Sequence, residues 1–257
     1  MQIKEYPRKN SVANEDFLLV QNANNSAYQS VEKQVLLSGL SAINQPSSDP
    51  ILGLPNLSSD WCAENVIADA NNLISQVTDT SGNQKHAISN ASTSRPTLVT
   101  NCLSNKPVIR FNGSQYFTHT NLTEPATIIA VLRNRGSGDR AVLGALSDNT
   151  TTQLDAYYFK TSDASAQMSF SHVGLSLGTQ TERIMSPHTF FIQSGRINQN
   201  MIELFINQTL VDRKTFTGTG INISTTASLG AGYFNNSLVD FFLGDIYRVC
   251  MFSQPLS

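Results

Sequence analysis

The sequence predicts a mainly β protein: a two-sheet antiparallel jelly-roll sandwich preceded by a small α+β module at the N-terminus. Three observations carry this. About a dozen short runs rich in β-branched and aromatic residues recur after residue 96, clusters of Asn, Ser, Thr and Gly separate them, and helical periodicity is nearly absent. A chain of 257 residues allows one large β domain with a small partner.

The elements follow in order. Residues 16–21 form a short apolar strand with Phe17, Leu18 and Val20, residues 22–26 have turn composition, and Tyr28 lies on the return strand. Ser30 is placed as an N-cap, Val31, Val35 and Leu36 mark one short helix, and Gly39 ends it. The polar stretch 41–52, with Pro46 and Pro50, reads as a linker, which sets the domains at 1–45 and 53–257. A unit of some 40 residues buries too little surface to be secure alone, so Phe17, Leu18, Val20, Tyr28, Val31, Val35 and Leu36 are expected to serve attachment or oligomerisation. Downstream, strands are expected at 97–100, 107–111, 126–132, 141–146, 156–159, 167–170, 188–195, 201–206, 209–212, 227–230 and 239–252. In residues 201–206, Ile202, Leu204 and Ile206 share one face by period two. In the last strand, Ile246, Arg248, Cys250 and Phe252 are expected opposite Tyr247, Val249 and Met251.

Composition excludes several function classes. Charged residues are 14%, with 17 basic against 19 acidic and a net charge of −2, which gives no broad electrostatic grip on nucleic acid or an anionic membrane. Neutral polarity replaces charge: there are 24 Asn, 30 Ser and 22 Thr. No apolar run reaches the roughly 18 residues of a membrane span, so no membrane insertion is expected. No apolar stretch of a signal peptide follows the first basic residues. Cys62, Cys102 and Cys250 are far apart and odd in number, and are read as buried thiols.

Chemistry is poorly represented. Glycan hydrolysis needs two carboxylates flanking the scissile bond, and none of the seven Glu stands in a Glu-x-Asp-x-x-Glu arrangement. Asp240 and Asp245 are five apart, so on a strand they face opposite ways. The four His lack metal-ligand spacing, and no nucleophile elbow or phosphate loop is present. The chain is therefore expected not to be an enzyme and to hold no metal. Residues 79–83 read as a tight turn in which Asp79 caps its own backbone and Gly82 takes a positive φ; as a calcium loop the segment lacks identifiable further ligands. Trp61, followed by Cys62 and Val66, reads as a core or seam residue rather than a sugar platform. The glycan-binding candidates lie in two expected loops: Arg133, Arg135, Asp139 and Arg140 in one, Tyr233, Phe234, Asn235 and Asn236 in the other. Aromatic faces stack on sugar C–H surfaces, amides take bidentate hydroxyl bonds, and the arginine loop combines charge with flexibility.

Trp61, the run 77–87, residues 95–101 and 107–116, and the ending 242–257 keep an order that resembles the laminin-G/concanavalin A-like lectin superfamily. The resemblance covers residues 53–257 and implies a lectin-like sandwich. Departures at Val77, Asn112 and Arg248 bear against carrying over the superfamily's calcium, the one cofactor it would imply. Residues 1–40, with Pro7, the run 15–21, Tyr28 and Leu36-Leu37, resemble an N-terminal module of bacteriophage tail-fibre and other virion proteins. Together the two resemblances imply a virion structural protein. Its expected form is a tail fibre or receptor-binding protein, a homotrimer that contacts baseplate or capsid proteins at one end and a host surface polysaccharide at the other. A capsid decoration protein and a non-phage lectin or glycanase are the alternatives.

Overall fold

Strands form where apolar side chains alternate with polar ones, and two such layers close over a shared core. The computed structural model describes residues 49–120, 126–138, 140–147, 157–161, 166–172, 175–181, 188–198, 201–215, 223–234 and 237–256. The chain divides between Ser48 and Asp49, and all described residues but none of Phe17, Leu18, Val20, Tyr28, Val31, Val35 and Leu36 belong to the second unit. The expected N-terminal module lies outside the described residues.

A 3₁₀ turn at Pro50–Gly53, capped by the Asp49 carboxylate, opens the unit. The strands are β1 (Leu57–Ala68), β2 (Ile74–Asp79), β3 (Ala87–Ile88), β4 (Thr97–Leu103), β5 (Lys106–Asn112) and β6 (Phe117–Thr120). Next come β7 (Thr127–Asn134), β8 (Arg140–Ser147), β9 (Tyr157–Thr161), β10 (Ala166–His172), β11 (Leu175–Thr181) and β12 (Phe191–Asn198). The last are β13 (Met201–Ile206), β14 (Thr209–Thr215), β15 (Ile223–Leu229), β16 (Gly232–Phe234), β17 (Ser237–Val239) and β18 (Leu243–Phe252).

Hydrogen bonds run in the order β11-β10-β9-β8-β15-β6-β3-β2-β1-β18-β7-β12-β13-β14, with β5 and β4 added beside β18. Every pairing between these strands is antiparallel. The long β1 joins the two layers: its first half pairs with β18 and its second half with β2, with register shifts between. The path folds back on itself, so β10 and β11 pack against β13 and β14. The result is the antiparallel sandwich that the alternating runs predict.

The inner faces supply the core. Ile128, Ala130 and Leu132 of β7 and Ile202 and Leu204 of β13 are fully buried, as the period-two pattern requires. Phe111 meets Phe117 edge-on at 6.0 Å and Phe242 at 5.7 Å, joining the layers through their ring edges. Such pairs add about 0.5–1.5 kcal/mol beyond area burial. Trp61 is 1% exposed and its indole Nε1 donates to the Lys85 carbonyl at 2.7 Å, so it is a core residue. The β13–β14 hairpin turns on Asn207 and Gln208, both at positive φ, the mirror-image turn that suits right-twisted strands.

One expectation about faces is overturned. A register shift between Ile246 and Arg248 breaks the alternation of β18, so Ile246 pairs with Leu132 on the core side while Arg248, Cys250 and Phe252 lie on the outer side. Elements β1, β2, β3, β6, β11, β16 and β17 are additions to the strands the sequence predicts. Asp79 closes its turn as expected. Oδ1 accepts from the backbone N–H of Asp60 and Ser81, Oδ2 from Lys85 N–H and the Ser81 hydroxyl, and Gly82 has φ +90°. Burial pushes the Asp79 carboxyl up, and these donors more than offset it, holding it below the usual range.

Two predictions follow from this packing. A Cβ on Gly230, at φ +88°, would overlap the Phe111 ring, 2.6 Å from Cδ1. Gly230→Ala is therefore expected to cost about 3 kcal/mol, read as a lower denaturant midpoint. His119 is 2% exposed against the Trp61 ring at 5.2 Å, and its Nε2 has no partner among the described residues. Burial pushes the imidazole down to about 4 against an ordinary 6.5, only partly opposed by the hydrogen bond to the His86 carbonyl. The unfolded chain takes the proton near pH 6.5 and the native state refuses it until about 4. Stability is thus full above pH 6.5 and falls by about 3 kcal/mol as pH drops through that window. Denaturation of wild type and His119→Gln at pH 7 and 4.5 checks this: an unchanged loss in the variant would reject the assignment.

Candidate functional site

The outer face of β5, β18 and β7 is built around a carboxylate that has no access to water. Asp245 is fully buried, and the register sets it between Arg110 on β5 and Arg133 on β7. Arg110 Nε donates to Oδ1 at 2.7 Å, Arg133 Nε donates to Oδ2 at 2.9 Å, and Arg133 Nη2 also reaches Oδ2. Both guanidinium groups donate to Cys102 Sγ, at 3.8 and 3.2 Å. The Arg133 guanidinium lies 4.6 Å over the Phe190 ring. Two cations on one anion leave this ladder with one surplus positive charge.

The rows above continue into the loops. Asn112 pairs with Leu243, and Arg135 N–H bonds the Leu243 carbonyl, so Asn112 and Arg135 flank the strand end just beyond the ladder. Asn112 Oδ1 accepts from Ser114 N–H and hydroxyl, and Gly113, at φ +90°, donates to the Phe242 carbonyl at 3.0 Å. Across this end, half-buried Tyr116 and Phe241 meet with ring centroids 6.0 Å apart. The rim so formed carries an aromatic pair, the exposed Asn112, Ser114 and Ser137, and the exposed Arg135, whose guanidinium is bonded to no described residue.

Of the residues expected to bind glycan, this places some together and removes others. Arg135 stands on the rim. Arg140 opens β8 and folds back, donating to the Ser137 and Phe241 carbonyls at 3.1 and 3.2 Å. Arg133 is corrected from a loop residue to a strand residue, because its pairing with Asp245 extends β7 through Asn134. Tyr233 is corrected as well: at 5% exposure on β16 its ring faces are covered and cannot stack on a sugar. Asp139, Asn235, Asn236 and the side chain of Phe234 lie outside the described residues. Sequence reading missed Arg110, Asn112, Tyr116, Phe190 and Phe241. A signal existed for Arg110, a lone charge at an outward position of an apolar strand.

Two further ladders occupy the same outer face. On β12, β13 and β14, the fully buried Glu203 is held by Arg196 Nε and by Arg213 Nε at 2.8 Å, with Arg196 5.3 Å over the Phe205 ring. Burial pushes the Glu203 carboxyl up, and the two arginines more than offset this, leaving it below the ordinary range. On β1 and β18, Arg248 donates to the buried Asp60 at 2.7 and 2.8 Å and also pairs with Asp49. The three cysteines are free thiols, with Cys62 and Cys250 buried and Cys102 half-buried. Among the described residues no group of three or more His, Cys, Asp or Glu is placed to hold a metal ion.

No protein-family model matches the chain, and no curated protein sequence matches it. Solved structures do match. The CBM40 module of the Ruminococcus gnavus IT-sialidase is similar with a TM-score of 0.50 at 12% identity, over 58% of this chain and 91% of that one. The same module has been solved bound to α2,3 sialyllactose. The binding domain of Paraclostridial Mosquitocidal Protein 1 is similar with a TM-score of 0.55 at 12% identity, over 79% of this chain and 50% of that one. A NanB sialidase from Streptococcus pneumoniae, in its K499G form, gives 0.50 at 11% identity, over 58% of this chain and 26% of that one. At such identities the likeness is one of fold, and this chain has the lectin-like β-sandwich of these modules.

Proposed function

We propose that the sandwich is a non-catalytic glycan-binding module of a bacteriophage virion structural protein, first of all a tail fibre or receptor-binding protein. The observation that carries the glycan reading is the rim: a half-exposed ring pair, Tyr116 and Phe241, beside the Asn112 amide, the Ser114 and Ser137 hydroxyls and the exposed Arg135 guanidinium, which is bonded to no described residue. A sugar needs both a stacking face and planar donors and acceptors for its hydroxyls. The fold shared with a carbohydrate-binding module supports the same reading. The buried carboxylates support binding without turnover, because Asp60, Asp245 and Glu203 are each engaged by arginine and closed off from solvent. The resemblance of residues 1–40 to a virion module supports the phage context. In that context the chain forms a homo-oligomer, a trimer in a fibre, gains strength from many weak sites, and is located on the virion.

A glycan array probed with the full chain tests this. Retention of surface glycans is expected, with no shortening of the bound glycan over time. Tyr116→Ala is expected to lower affinity about tenfold while leaving the denaturant midpoint close to wild type. Retention of no glycan, together with tight binding to capsid particles, would overturn the glycan reading in favour of capsid decoration.

A further inference from the structure

Two of the three ladders carry more positive charge than their carboxylates need. Asp245 has Arg110 and Arg133, and Glu203 has Arg196 and Arg213. One arginine neutralises one carboxylate, so each ladder presents a surplus charge to solvent, on a chain whose net charge is −2. These groups are reachable: the Arg110 side chain is 32% exposed and that of Arg213 is 51%. Their Nε edges and Nη2 atoms face the carboxylates, and no described residue accepts from Nη1 of Arg110, Arg133 or Arg213. Phe190 and Phe205 each lie against one guanidinium of a ladder, that of Arg133 at 4.6 Å and that of Arg196 at 5.3 Å.

The two ladders share one sheet face at a measurable spacing. On β7, Arg133 pairs with Asp245, while Thr127, six residues back, pairs with Arg196 of β12. At about 3.3 Å per residue along a strand and about 4.8 Å between strands, with β13 three strands from β18, the ladder centres stand roughly 25 Å apart. The floor between them is half-exposed and mostly apolar: Val131 pairs with Ile192, and Ile129 with Ser194. A nucleic acid carries phosphates far more densely than two sites in this distance can match, and this floor has no aromatic platform for bases. A sugar polymer with widely spaced carboxylates fits both the charge spacing and the floor.

We infer that this outer face binds an acidic polysaccharide lying along β7 and β12, with one carboxylate on the Arg110–Asp245–Arg133 ladder and another on the Arg196–Glu203–Arg213 ladder. The inference rests on the glycan-binding reading above and names its ligand class. The donors free at Nη1 take the carboxylate oxygens, and the apolar strip takes the C–H faces of the intervening rings.

Equilibrium binding of the full chain to hyaluronan oligosaccharides, in which every second sugar bears a carboxylate, tests it from disaccharide to octasaccharide. Maltooligosaccharides of the same lengths serve as neutral controls. The octasaccharide is expected to bind at least about tenfold tighter than the disaccharide, and to weaken as salt is raised. Arg110→Gln leaves Asp245 with Arg133, and Arg213→Gln leaves Glu203 with Arg196, so neither orphans a buried charge. Each is expected to abolish the gain from length. Equal affinity for all lengths, or equal affinity for the neutral series, overturns the inference. Retention of neutral glycans alone on the array, with no hyaluronan bound, overturns it and leaves the glycan reading standing. Retention of no glycan of either kind overturns both.

Discussion

A carboxylate taken fully out of water costs several kcal/mol unless a cation meets it, and removing that cation costs about 3–5 kcal/mol. The outer face of the sandwich contains three such groups, Asp60, Asp245 and Glu203, each at 0% exposure. Every strand around them is placed by the need to answer those charges. Asp245 ties β5 and β7 to β18, Asp60 ties β1 to β18 through Arg248, and Glu203 ties β12 and β14 to β13. A slip of one residue would turn each acid toward Ile128, Leu132 and Leu204, where no cation waits. Apolar alternation decides which side faces the core, and the ion pairs exclude the neighbouring registers.

This explains how a chain with 14% charged residues can hold so long a continuous sheet. Its few charges are concentrated where strands meet, and its surface is left to amides and hydroxyls. β18 shows the consequence most clearly. From Arg248 to Phe252 both faces are buried, the inner by the core and the outer by Asp60 of β1 and the Asp49 carboxylate.

Much of this was legible in the sequence, and the rest was not for identifiable reasons. Strand β7 announces itself through its run of β-branched residues, β13 through the period-two spacing of Ile202, Leu204 and Ile206, and the turns at residues 79–83 and 207–208 through their small polar residues. β1 was missed because Ser58-Ser59-Asp60-Trp61-Cys62-Ala63 has neither alternation nor β-branched residues; it is a strand because β18, nearly 190 residues later, supplies its partners. Arg133 was read as loop because a polar pair of residues, Arg133 and Asn134, follows an apolar run. What holds it in the strand is an acid 112 residues away. Tyr233 was read as exposed because amides follow it, yet local polarity says nothing about the layer that covers a ring. The face of Ile246 was misassigned for a similar reason, since a bulge leaves no mark in a strictly alternating reading.

The ladders separate what stability needs from what it does not. The Asp60 cluster is acid-rich, with Arg248 shared between two carboxylates, and it lies at the root of the 3₁₀ turn where packing covers it. The other two are arginine-rich and stand on the open part of the face. Stability alone favours the first pattern, because an additional guanidinium in a half-buried position gives up hydration for little added attraction once the carboxylate is already paired. A second, exposed arginine beside a ring-held one, Arg110 beside Arg133 and Arg213 beside Arg196, is therefore poorly explained as scaffolding. Fixed orientation and residual charge are the two properties that raise affinity for an anion without an ordering cost at the moment of binding. On a surface otherwise built from neutral polar groups, they mark the positions where this sandwich differs from a generic one.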